Sequence, residues 1–147
     1  MAGYSGTPLV KKLGIKDGFR VAFVGAPPDY ADTLGPLPAA VTVLKQPKAP
    51  MDFIQLFVKS HVELEKLFVR MSRELAPAGM LWISWPKKTS GVTTDLHENL
   101  IRDIGLAAGL VDVKVCAVDE TWSGLKFVIR VKDRPGGDAP LVGPRLL

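Results

Sequence analysis

The stretch VDVKVCAVDETWSGLKFVIRV, residues 111 to 131, holds two β-rich runs, 111–118 and 125–131, with six residues between them. Six residues are too few for the crossover that parallel neighbours require, so these two strands pair antiparallel. Upstream the pattern differs. Short, near-continuous apolar runs alternate with amphipathic segments, as in a largely parallel sheet covered on both faces. The expected fold is one α/β, Rossmann-like domain: a mostly parallel sheet with an antiparallel last strand and helices on both faces.

Just before the pair, Thr94 stands as the cap of a helix whose Leu96, Leu100, Ile101, Ile104 and Ala108 share one face, and Gly109 supplies a left-handed stop. MLWISW (80–85) reads as a buried strand. Ser60-His61-Val62-Glu63 has the spacing of a capping box. The helix it opens carries Leu64, Leu67, Phe68, Met71 and Leu75 as one stripe and ends at Pro77 and Gly79. Three more strands are expected at FRVAFVG (19–25), AAVTVLK (39–45) and DFIQLFVKS (52–60). PDYADTLG forms one or two helical turns, and Thr7-Pro8 opens a short helix stopped by Gly14. A compact domain is expected over 1–132. The Pro/Gly-rich segment 133–147 lacks periodicity and is expected to be a disordered or loosely docked tail.

The 147 residues suffice for a single core. The net charge of +4 and pI of about 9.3 are mildly basic, which favours an anionic partner without implying nucleic acid, since no dense Lys/Arg stripe exists. Cys116 is the only cysteine, so no internal disulfide and no cysteine cluster for a metal can form. No apolar run approaches the length of a membrane span, and MAGYSGTPLVKK lacks the features of a signal peptide. A cytoplasmic protein is the expectation.

The alternation of elements, with LAPAGMLWISWP leading into a central strand and AGLVDVKV into the final pair, resembles the S-adenosylmethionine-dependent methyltransferase fold. The first half departs from that family. Gly25-Ala26-Pro27-Pro28-Asp29 stands where the glycine-rich cofactor loop would lie, and its prolines remove amide donors. Lys45-Gln46 follow the second strand, where the family carries an acid for the ribose hydroxyls. Only 26 residues separate Gly25 from Asp52, whereas two βαβ steps take about 60 residues. The sheet is therefore expected in compressed form, with 39–45 beside 19–25 and a direct return to the third strand. No cofactor is expected on this reading, and S-adenosylmethionine belongs to the alternative. The segments YSGTPLVKKLGIK, DFIQLFV, GMLWISWPKK and VDVKVCAVDETWSGLKFVIR together also resemble a family of short bacterial proteins of unknown function.

Ligands in open parallel sheets sit outside the carboxyl ends of the strands. Gly25 to Tyr30, Ser84 to Ser90 and Asp119 to Gly124 should converge there, and the resemblance places strand 125–131 directly beside 80–85. The candidate ligand-binding residues are Gly25, Asp29, Tyr30, Trp85, Lys87, Lys88, Asp119, Glu120, Trp122 and Ser123. Trp85, Trp122 and Tyr30 would wall a pocket, Lys87 or Lys88 would meet a phosphate or carboxylate, and the acids with Ser123 would orient polar groups. The structural alternative is a latch in which the lysines pair with Asp119 and Glu120 while the tryptophans close the core, worth about 0–1 kcal/mol per exposed pair. Ser84 or Ser123 with His97 matches a nucleophile set by composition alone, without a G-x-S-x-G elbow. His61 and His97 have no zinc spacing, so no metal is expected.

The leading reading is a non-catalytic or degenerate methyltransferase-like domain that binds a small anionic ligand or a protein partner. The alternative is a methyltransferase with an unorthodox cofactor loop.

Overall fold

The computed structural model describes residues 7–134, so the tail expected over 133–147 lies outside the described residues from 135 onward. The elements run α1 (Leu9–Leu13), β1 (Arg20–Val24), α2 (Tyr30–Leu34), β2 (Thr42–Val43), β3 (Met51–Phe57), α3 (His61–Ser72), β4 (Leu75–Pro86), α4 (Glu98–Ala107), β5 (Leu110–Ala117) and β6 (Trp122–Ile129). Single 3-10 turns occupy Lys88–Ser90 and Val131–Asp133.

The six strands form one sheet in the order β2-β1-β3-β4-β6-β5. The pairs β1–β2, β1–β3 and β3–β4 are parallel, and β6 runs antiparallel to both β4 and β5. The compressed order expected from the sequence is present. After β2 the chain returns straight to β3 on the other side of β1, so the order reverses between β1 and β3.

Strict alternation along each strand divides the core in two. On one face Ile54, Leu56, Leu81, Ile83, Trp85, Leu125 and Phe127 pack with Leu64, Phe68 and Met71 of α3 and Ile101 of α4. On the other, Phe53, Phe57, Met80, Trp82 and Trp122 pack with Leu13, Ile15, Tyr30 and Leu34 around α1 and α2. Trp82 Nε1 donates to the carbonyl of Leu13 at 2.9 Å, which satisfies the buried indole and pins α1 to the sheet.

Several boundaries differ from the sequence expectations. The second strand shrinks from 39–45 to Thr42–Val43, because residues 39–41 cross the end of β1: Gly18 N–H donates to Ala39 O and Ala40 takes a φ of 61°. α3 ends at Ser72, so Leu75 is not on its stripe; it opens β4 opposite Met51, ahead of a register shift. Gly79 is required at that irregularity, since a Cβ there would collide with the Met51 carbonyl. The Ser60 cap holds, with Oγ accepting from Glu63 N at 3.1 Å, but Glu63 Oε1 returns to Lys59 N rather than to Ser60. Thr94 does not cap α4. Its hydroxyl donates to Lys59 O, Asp95 accepts from His61 N, and His97 Nδ1 takes the cap position instead. At α1 the cap is Pro8 rather than Thr7, and Gly14 ends the helix with a φ of 88°.

Candidate functional site

β1 exits through Gly25, whose φ of 73° suits glycine, and a Cβ there would lie 2.9 Å from the carbonyl of Phe57 at the end of β3. The loop thus sits tightly on its neighbour. Tyr30 N–H closes a turn on Pro27 O at 3.0 Å, and α2 directs the Tyr30 ring beneath the loop into the core.

There the phenol donates to Gln55 Oε1 at 2.7 Å, and Gln55 Nε2 donates to Ser84 Oγ at 2.9 Å. Gln55 and Ser84 are fully buried polar side chains, and this chain of bonds satisfies them across β3 and β4. Burial pushes the Tyr30 phenol above its usual range. The Gln55 bond opposes that shift, while Asp119 and Cys116 add to it. The ring also extends an aromatic row: Phe23–Tyr30 at 5.8 Å, Tyr30–Phe57 at 4.8 Å and Phe57–Trp122 at 5.1 Å between centroids. Beside it, under α2, lies a cavity of about 290 Å³ lined mainly by Phe23, Pro27, Tyr30, Leu34, Leu37 and Val43. Its wall is apolar, and its one hydroxyl is already engaged by Gln55.

At the next strand ends, Asp119 Oδ1 accepts from the N–H groups of Thr121 and Trp122, both at 2.8 Å, and Lys87 N–H donates to Thr121 O at 2.8 Å. The exit of β4 and the β5–β6 turn are therefore neighbours, as expected. The turn is shorter than the sequence suggested: β6 begins at Trp122, so Trp122 and Ser123 are strand residues.

The structure separates the two tryptophans. Trp85 pairs with Ser123 and lies with Leu96, Ile101 and Leu125, whereas Trp122 pairs with Pro86 and packs on Phe57 across the sheet. They do not face each other as walls of one pocket. Gly25, Asp29, Lys88 and Glu120 are exposed, and Lys87, Asp119 and Ser123 are half-buried. Among the described residues the ion pairs are Arg102–Glu98 and Arg102–Asp112, with His61 Nε2 lying 3.1 Å from Glu65, so the latch between the lysines and the Asp119–Glu120 pair is not formed. Lys88 is the exposed cation of the pair. Ser84 is held by Gln55 inside the core and His97 caps α4 at the surface, so no nucleophile set assembles.

Gln55 and Phe57 were missed from the sequence. The signal for Gln55 was available: a lone amide inside DFIQLFV must find a buried partner.

No family model matches the chain, and no curated protein matches it. Solved structures do. A precorrin-6y C5,15-methyltransferase from Geobacter metallireducens GS-15 superposes with a TM-score of 0.55 at 11% identity, over 82% of this chain and 85% of that one. A SAM-dependent methyltransferase from Aquifex aeolicus gives 0.54 at 19% identity, over 81% and 86%. Fibrillarin from Aeropyrum pernix, with natively bound S-adenosyl-L-methionine, gives 0.53 at 16% identity, over 86% and 70%. At these identities the likeness concerns the fold alone. The chain has a compressed fold of the S-adenosylmethionine-dependent methyltransferase type.

Proposed function

We propose that this chain is a non-catalytic, degenerate methyltransferase-like domain whose carboxyl-end rim binds a small anionic ligand or a protein partner. The observation that carries the reading is the loop after β1. Gly25 is seated against Phe57, Pro27 and Pro28 offer no N–H, and Leu44-Lys45-Gln46 after β2 place no carboxylate for ribose hydroxyls. The residues present do not fit S-adenosylmethionine in the seating that the resemblance implies. Lys87 and Lys88, with no carboxylate partner among the described residues, supply the positive charge at the rim.

The alternative, a methyltransferase with an unorthodox loop, is supported by the likeness to cofactor-bound structures and by the exposed Gly25 and Asp29. Titration calorimetry with S-adenosylhomocysteine separates the two. No heat of binding is expected, and saturable binding overturns the proposal in favour of the enzyme. At the rim, native mass spectrometry of the protein purified from its host should show a retained mass that the double variant Lys87→Ala/Lys88→Ala loses. Retention of the same mass by that variant would remove the rim from the proposal.

A further inference from the structure

Away from the rim, Lys114 of β5 and Lys126 of β6 are direct register partners, with both ammonium groups on the α1 side of the sheet. Like charges directly opposite on neighbouring strands repel. Lys114 Nζ donates to Lys12 O at 2.9 Å and Lys12 Nζ donates to Ala117 O at 3.1 Å, which ties the last turn of α1 to β5. That gives Lys114 a structural partner, and a lysine on an edge strand such as β5 also guards against edge pairing.

Neither reason covers Lys126. It stands on β6, an interior strand, half-buried, with no hydrogen bond or ion pair among the described residues. Its ammonium lies over the bare backbone of Gly14, where a Cβ would stand 3.8 Å away. Burial pushes the group below its usual range, and Lys114 and then Lys16 push it further in the same direction, with no carboxylate opposing them. An interior strand has placed a cation among cations, a local violation of the kind that functional sites tolerate.

We infer that Lys126 and Lys114, flanked in the chain by Lys16 two residues beyond Gly14, form a second anion site, distinct from the rim, that takes a compact polyanion bearing adjacent phosphoryl groups. The compactness of the cluster is the argument for that class. Two of the lysines are register partners on adjacent strands, which holds their charges close together. Charge-assisted bonds from two adjacent ammonium groups suit the dense charge of a polyphosphate.

The test is calorimetric titration of the full chain with inorganic tripolyphosphate at low salt. Lys126→Met should weaken binding about tenfold or more, the size expected for one lost charge-assisted contact. Lys126→Arg should largely retain binding, and Lys66→Gln on α3 serves as the control with the same charge change. Thermal melting verifies that each variant is folded. In the wild type, tripolyphosphate should also move the pH titration of the Lys126 ε-methylene resonances upward. Unchanged affinity in Lys126→Met overturns the site, as does loss confined to Lys87→Ala/Lys88→Ala, which would place the anion at the rim. Tighter binding of a single-stranded oligonucleotide than of tripolyphosphate overturns the ligand class.

Discussion

Trp85 and Trp122 occupy diagonal positions on adjacent strands and face opposite sides of one sheet. A strand alternates its side chains, so one residue of register separates a shared pocket from two unrelated cores. Each ring is a structural element of its own cluster. Alanine at either position should cost about 3–5 kcal/mol in chemical denaturation. The milder pair Trp85→Phe and Trp122→Phe should be additive to within about 0.5 kcal/mol, because the rings pack in separate core clusters on opposite faces. A larger coupling in the double-mutant cycle would mean that the two faces communicate.

Tyr30 is the group whose titration should be visible in stability. Its phenol is held neutral by burial in the native state, so its folded value lies above the unfolded one. The native state then keeps a proton that the unfolded chain releases. The associated stability is intact below the unfolded value and falls as pH rises above it, with a limiting slope of about 1.4 kcal/mol per pH unit. Lys126, shifted downward, works in the opposite sense over the same range. The comparison that isolates the phenol is therefore wild type against Tyr30→Phe in urea at pH 9 and pH 11. At pH 9 the variant should be less stable by about 1–3 kcal/mol, since Gln55 Oε1 loses its donor. The gap should narrow at pH 11, and a constant gap would rule out a buried neutral phenol.

The alternation of apolar strands and amphipathic helices carried the sheet, because burial on two faces writes itself into composition. The compressed order of the first half was legible from the resemblance taken together with the 26 residues between Gly25 and Asp52. Boundaries failed where side chains served tertiary bonds instead of the helix cap. Thr94 and Asp95 look like helix-cap residues, yet they are occupied by Lys59 O and His61 N. Leu75 continues the helical spacing of α3 but is taken by Met51 across the sheet. The β4 exit and the β5–β6 turn meet where the sequence put them. Its aromatic wall was not, since nothing local reveals that β6 starts at Trp122 and so sets which face the indole takes.

Gly105 tests the seating of α4. Glycine inside a helix is unfavourable by about 1 kcal/mol relative to alanine, so Gly105→Ala should stabilise on propensity alone. Here a Cβ would overlap the Phe127 ring, which itself stacks edge-on against Phe68 at 5.2 Å. Overpacking of that kind costs about 1–3 kcal/mol. The substitution should therefore lower the melting temperature, and Phe127→Leu in the same background should recover part of the loss. A stabilised Gly105→Ala single variant would show that the helix shifts at little cost.

Asp119 holds the turn that carries the rim. One carboxylate oxygen accepts from two backbone N–H groups, Thr121 and Trp122, and the same turn accepts Lys87 N–H through Thr121 O. Asp119→Ala leaves two donors to find water and should cost about 1–3 kcal/mol, whereas Asp119→Asn keeps an acceptor oxygen and should cost less. The more telling measurement is hydrogen exchange. In Asp119→Ala the amides of Thr121, Trp122 and Lys87 should lose protection together, because one turn anchors both strand ends. The amide of Leu64 at the start of α3, bonded to Ser60 O, should keep its protection. If Lys87 stayed protected while Thr121 and Trp122 opened, the exit of β4 would be rigid on its own, and the rim lysines would owe their placement to the β4–β6 pairing rather than to Asp119.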